Sequence, residues 1–426
     1  MAETFPDARH ESQRRTSDPP AIARHLRLQP SRHSGPADRA EPALKSVETA
    51  PAPQSRRVVS VDALRGFNMA GILGADALAW ALLDLSSGKQ GILATVGTFI
   101  GIQFTHVAWE GFRFYDFIFP LFVFVTGVSI VLSLPRLVER EGKTSAHVRV
   151  LRRALLLYVL GIIYYGGLSH KWPEIRMLGV LQRIAICYLF ASLLFLNVRL
   201  RGLVVVFVAI LVGYWAVMTF VPVPGIGAGS FVPDANLANW IDARYLPGSL
   251  WDETRDPEGI LSTLPAIGTC LLGVLAGVLL TDARVEPQQK SLWLIGAGIA
   301  LVAAGHLWGL QFPIIKYLWT SSFVLVAGGY SLVLLGVMHQ IVDVWGWKSW
   351  ATIFVWIGAN AITLYFLNNV MGFDKLASRL VGGDVAAFLD QHVTPGAGRF
   401  LVAVTALGLA AALAGFLYRR KIFLRV

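Results

Sequence analysis

The stretch QFTHVAWEGFRFYDFIFPLFVFVTG, residues 103–127, sets a histidine, a tryptophan and two acidic residues directly before an apolar run that continues to about residue 135. Read as helix at about 1.5 Å per residue, residues 114–135 are long enough to cross the roughly 30 Å hydrocarbon core of a bilayer. Similar runs recur along nearly all the chain after residue 57, at 58–85, 148–168, 176–196, 202–221, 259–280, 291–310, 317–342, 350–371 and 400–418. Backbone groups cannot go unpaired in lipid, and the runs lack the short alternation of barrel strands, so each is predicted to be a helix. The expected fold class is therefore all-α: a polytopic membrane protein with about ten transmembrane helices in one bundle.

Composition points the same way. Of 426 residues 55% are hydrophobic and only 15% charged, and the mean hydropathy of +0.57 lies outside the usual soluble range. A net charge of +10 could suit nucleic acid, but the basic residues fall in alternate loops: Arg136 to Arg153, Arg199 and Arg201, Arg284 and Lys290, then Arg419 to Lys421. That is the positive-inside pattern, so the expected large partner is the lipid bilayer and no nucleic acid, with both termini cytoplasmic. The outer loops are then 86–113, 169–175, 222–258, 311–316 and 372–399. Residues 1–56, rich in Pro, Arg, Ser and His without apolar period, read as a disordered cytoplasmic tail, and 57–426 as the membrane domain. Cys187 and Cys270 both lie within predicted spans and read as small core residues.

Charges inside the bundle carry the functional reading, because at that depth they face the interior or a wetted path. On an unbroken helix Asp62 and Arg65 are neighbours, and Asp76 returns to their face about 16 Å further out. Asp62 with Arg65 fits a structural ion pair as well as a binding site. Arg183, near the middle of its span, needs a carboxylate, a phosphate or several carbonyls. Asn360 supplies a neutral donor and acceptor that could equally join helices. Glu258 and Lys316 stand at the outer ends of spans, where end charges often only snorkel. His306 and His339 read as satisfied core residues, whereas His106 lies outside the lipid beside Trp109, Glu110 and Asp116, where an imidazole suits proton transfer. The spacing of His106, Glu110 and Asp116 matches no familiar metal site, and no metal is expected. Gly273 and Gly277 read as positions of close helix packing.

Taken together, SVDALRGF (60–67), THVAWEGFRFYDFIFPLFVFVTGVSI (105–130), GVLQRIA (179–185), DPEGILSTLPAI (256–267), PIIKYLWTSSFVL (313–325) and GANAITLY (358–365) resemble the heparan-α-glucosaminide N-acetyltransferase family, in order over residues 57–426. The resemblance implies a transmembrane acyltransferase that moves an acetyl group from acetyl-CoA to an amino-sugar amine on the far side of the membrane, with His106 as the key residue. It further implies a homodimer and a bacterial inner-membrane location. Where the family has an asparagine, this chain carries Asp76, which could orient the ring that an amide could only hydrogen-bond.

The expected catalytic pair is then His106 and Asp76. Arg65, Arg183, Asp62 and Asn360 are expected on the coenzyme, and Trp109, Glu110, Glu258 and Lys316 on the acceptor. His106 either takes the acceptor's proton or is itself acetylated first. The rival reading is a transporter of N-acetylglucosamine or a related amino sugar, which the same buried charges would serve.

Overall fold

Asp343 starts the first helix from a distance in sequence: its two carboxylate oxygens each accept, at 3.1 Å, from the backbone N–H of Val59 and of Ser60. Two of the orphan amides of α1 (Val59–Ala70) are thereby satisfied, with negative charge at the positive end of the helix. The computed structural model describes residues 58–86 and 88–424, so the expectation of a disordered tail over 1–56 lies outside the described residues.

Helix α1 does not continue unbroken into α2 (Asp76–Ser86). Gly71–Ala75 form a wider π turn in which Gly74 takes φ 151°, a conformation only glycine adopts without strain. The register that put Asp76 on the face of Asp62 and Arg65 assumes a straight helix, and it is lost at this turn. Then follow α3 (Ile92–Gln103), α4 (Phe114–Tyr164), α5 (Val180–Asn197), α6 (Leu200–Phe220), α7 (Leu237–Tyr245), α8 (Thr263–Thr281), α9 (Pro287–Gly309), α10 (Ser321–Met338), α11 (Thr352–Ala359), α12 (Ala361–Met371), α13 (Phe373–Val381), α14 (Asp384–His392) and α15 (Ala397–Arg419).

The chain is an integral, multi-pass, all-helical membrane protein. Among the described residues 8 helices are long and apolar enough to span, or 9 if α11 and α12, bent by 76°, count as one broken span. Every segment expected from the sequence is present. The count falls below ten because 114–135 and 148–168 share the 51-residue α4, which Gly142 divides at φ 83° and ψ 167°.

Burial sorts the spans into centre and periphery. The most apolar windows of α8 and α10 are each 78% buried, against 17% for α9, so α8 and α10 form the middle of the bundle and α9 faces lipid. His306 on α9 is accordingly exposed rather than a core residue, while His339 is buried, its Nδ1 2.8 Å from Ser291 Oγ. Cys187 and Cys270 are buried in the main apolar core.

Small residues set the close crossings. A Cβ on Gly273 would stand 1.9 Å from the Phe124 carbonyl oxygen, and one on Gly127 would stand 1.9 Å from that of Cys270, so α4 and α8 touch backbone to backbone. Gly66 and Gly358 do the same for α1 and α11, which holds Asp62 and Arg65 against the break at Asn360. Gly273→Ala is expected to cost about 1–3 kcal/mol or more by overpacking, seen as a lower Tm in detergent. Gly296→Ala, with nothing within 4 Å, is the control expected to leave Tm unchanged.

Candidate active site

His106 sits in the loop joining α3 to α4, and that loop is pinned at both ends. Gly111 donates its N–H to the Ile314 carbonyl at 2.8 Å, and Glu110 forms an antiparallel bridge with Ile315, tying the loop to the turn before α10. Arg113 Nη1 holds Thr105 Oγ1 at 2.5 Å and the His106 carbonyl at 3.3 Å.

Asp116 on the first turn of α4, not Asp76, meets the imidazole. Its Oδ1 lies 2.7 Å from His106 Nδ1, and its Oδ2 accepts from the amides of Val107 at 3.2 Å and Arg113 at 3.3 Å. The Asp116 side chain is 2% exposed and the ring 53%, so a buried carboxylate fixes an imidazole that faces open space. With the proton on Nδ1, Nε2 is left as the basic atom. Asp76 stands behind Tyr115, against its hydroxyl, and the Tyr115 ring lies 4.6 Å from that of His106.

Lys316 Nζ lies 3.0 Å from His106 Nδ1 and 3.4 Å from Asp116 Oδ1, and burial pushes its ammonium pKa below the usual lysine value. Across the cavity, Arg176 Nη2 pairs with Asp256 at 2.9 Å and Glu258 at 2.6 Å, with the guanidinium between the rings of Trp251 and Tyr165. One guanidinium shared by two buried carboxyls leaves both with pKa values raised by desolvation. Trp109 stacks on Tyr317 at 5.5 Å and donates Nε1–H to the Phe231 carbonyl at 2.8 Å.

These groups enclose a cavity of about 580 Å³ walled by His106, Trp109, Asp116, Arg176, Glu258 and Lys316. A second cavity of about 640 Å³ opens around the start of α1, lined by Asp62, Arg65, Arg136, Arg153 and Asn360. The two share Ile72, Val180 and Tyr365 as wall residues, so they lie against opposite sides of the same three side chains.

In the second cavity Arg65 pairs with Asp62 at 3.3 Å and donates to Ser129 Oγ at 2.7 Å, while Arg153 lies over the Tyr188 ring at 4.8 Å. Asn360 marks the break between α11 and α12 and donates Nδ2–H to the Trp356 carbonyl at 3.1 Å.

Three residues singled out in the sequence lie apart from both cavities. Arg183 is fully buried and bonds to the Gly259 carbonyl at 3.2 Å and Ser262 Oγ at 2.5 Å, with Trp319 against its face, which makes it a clamp between α5 and the start of α8. Val180, Ile184 and Tyr188 are the face that α5 turns to the second cavity. Glu110 is exposed and contributes backbone pairing, and Asp76 borders neither space. Arg176, Trp251 and Asp256 escape the sequence reading, since loop residues offer no periodicity that says which way they point, and Tyr365 lies on α12 just after the break at Asn360, where helical phase is reset.

Behind Glu258, Asp242 on α7 is 1% exposed, and burial pushes its carboxyl up to about 7 against the opposing pull of the Ile260 amide and Arg183. The folded protein therefore keeps a proton between about pH 4 and pH 7 that the unfolded chain releases, and stability falls as pH rises through that window. Asp242→Asn is expected to remove this loss, on the order of 4 kcal/mol, and flatten the dependence of Tm on pH between about 4 and 7.

A family model for the catalytic region of heparan-α-glucosaminide N-acetyltransferase matches residues 57–309. That segment contains His106, Asp116, Arg176 and Glu258, and ends before Lys316 and Asn360. The heparan-α-glucosaminide N-acetyltransferase of Homo sapiens is 27% identical over 383 residues, covering 76% of this chain and 56% of its own length. That of Mus musculus is 27% identical over 327 residues, covering 63% of this chain and 49% of its own. The chain thus spans about half the length of the curated relatives it matches.

Proposed function

The chain belongs to the heparan-α-glucosaminide N-acetyltransferase catalytic family, and on that premise we propose that it moves an acetyl group from acetyl-CoA to the amine of an amino sugar across a membrane. The observation that carries this reading is the pair of cavities with shared walls, one basic and one holding a carboxylate-bound imidazole. Among the described residues, three arginines and one carboxylate line the cavity at the start of α1, a lining that suits the donor's polyanionic nucleotide, with Asn360 beside it. The thioester arm passes Ile72, Val180 and Tyr365 to reach His106. The positive-inside pattern of the loops supports a nucleotide on the cytoplasmic side and an acceptor outside, the arrangement we propose for a bacterial inner membrane.

At His106 the acceptor ammonium gives one proton through Nε2 to water. The amine lone pair attacks the thioester carbonyl carbon, the C–S bond breaks, and the second nitrogen proton passes through Nε2 to the departing sulfur. Asp116 holds the ring in the tautomer that both transfers need, and Asp76 backs it through Tyr115. Trp109 stacked on Tyr317 offers the sugar an apolar platform.

Adjoining cavities would serve transport as well. The two readings part in one assay: the purified protein in detergent, with no sealed compartment, is expected to transfer labelled acetyl from acetyl-CoA to glucosamine. A protein inert in detergent that accumulates N-acetylglucosamine in sealed vesicles would overturn the enzyme reading.

A further inference from the structure

Each cation that lines the His106 cavity is already held by carboxylate. Lys316 has Asp116 at 3.4 Å, and Arg176 has Asp256 at 2.9 Å and Glu258 at 2.6 Å. At the rim Arg255, lying 5.5 Å over Trp109 and 5.6 Å over Tyr317, has Asp234 at 2.8 Å and Asp252 at 3.4 Å. Asp252 also accepts from the Tyr317 hydroxyl at 3.0 Å. Of the remaining neighbours, Arg113 is turned to Thr105 and the His106 carbonyl, and Arg183 is sealed beneath Glu258 on a carbonyl and a hydroxyl. These three cations thus stand among five carboxylates, where the described lining of the other cavity holds three arginines and Asp62.

An anionic group brought into the His106 cavity would shed water without gaining an uncommitted counter-ion, because the cations that line it already hold carboxylates. A cation is drawn to the same place, and the aromatic walls of Trp109, Trp251, Tyr165 and Tyr317 add to that attraction. Resting on the acetyl-transfer reading above, we infer that the acceptor is an amino sugar that enters as the ammonium and carries no sulfate, phosphate or carboxylate of its own. Anionic amino sugars are rejected by the site's charge rather than by its size.

The test compares acetyl transfer by the purified full chain to glucosamine, glucosamine 6-phosphate and glucosamine 6-sulfate at low and high ionic strength. Expected is a kcat/KM at least about tenfold higher for glucosamine, with the gap narrowing as salt screens the rim. Asp234→Asn, at the rim and away from the reacting atoms, is expected to improve the 6-phosphate about threefold while leaving glucosamine turnover within about twofold. Equal or better transfer to the 6-phosphate, or a ratio that ignores both salt and Asp234→Asn, overturns the inference and leaves acetyl transfer standing. Loss of transfer to all three amines overturns acetyl transfer to amino sugars and this inference with it.

Discussion

Acetyl transfer by the His106→Ala variant is expected to fall by about 10²- to 10⁴-fold in kcat, the range that loss of a positioned acid–base group produces. The affinity for acetyl-CoA is expected to stay within about twofold, since the nucleotide's arginines lie in the other cavity. The ring is 53% exposed and its loop is held by backbone contacts through Gly111 and Glu110, so the variant should fold and keep its Tm. A variant that retains more than about a tenth of wild-type turnover would remove His106 from the chemistry.

The second large effect separates two aspartates. Asp116→Asn is expected to lower kcat on the order of 10³-fold, because an amide in place of the carboxylate no longer selects the Nδ1–H tautomer or stabilises the imidazolium. Asp76→Asn, one ring further back behind Tyr115, is expected to cost less than about tenfold. Asp116→Asn also leaves Lys316 Nζ without its carboxylate, so a loss of stability will accompany the change. The pH–rate profile distinguishes the roles: a tautomer-setting Asp116 shifts its limbs when replaced, whereas a merely structural one lowers Tm and leaves the limbs in place. Equal losses at the two positions, or a larger one at Asp76, would contradict the assignment.

Asp76 enters the expected pair through the family resemblance, and a match of position along a helix carries no side-chain direction. Apolar length and basic loops are properties of whole segments, and they located every span, because the bilayer imposes its thickness on any chain that crosses it. Helical phase is more fragile. The 100° count from Asp62 to Asp76 holds only for an unbroken helix, and the π turn with Gly74 at φ 151° resets it. Asp116 lies ten residues after His106 across an irregular loop, a separation that no period relates. His106, Trp109, Glu258 and Lys316, all singled out in the sequence, line one cavity. Arg183 was read as a phosphate ligand because α5 is apolar on most sides, so its sequence does not say that Val180, Ile184 and Tyr188 face the cavity while Arg183 turns to Ser262.

That donor and acceptor meet at one imidazole from two adjoining cavities is tested most directly by a cryo-EM structure with a non-transferable thioether analogue of acetyl-CoA. The account expects the nucleotide beside Arg65 and Arg153, the arm passing Ile72, Val180 and Tyr365, and the acyl carbon within about 4 Å of where an amine bound to His106 Nε2 would sit. An analogue held with its nucleotide in the His106 cavity, or one whose arm turns away from Tyr365 and ends far from the imidazole, would contradict it.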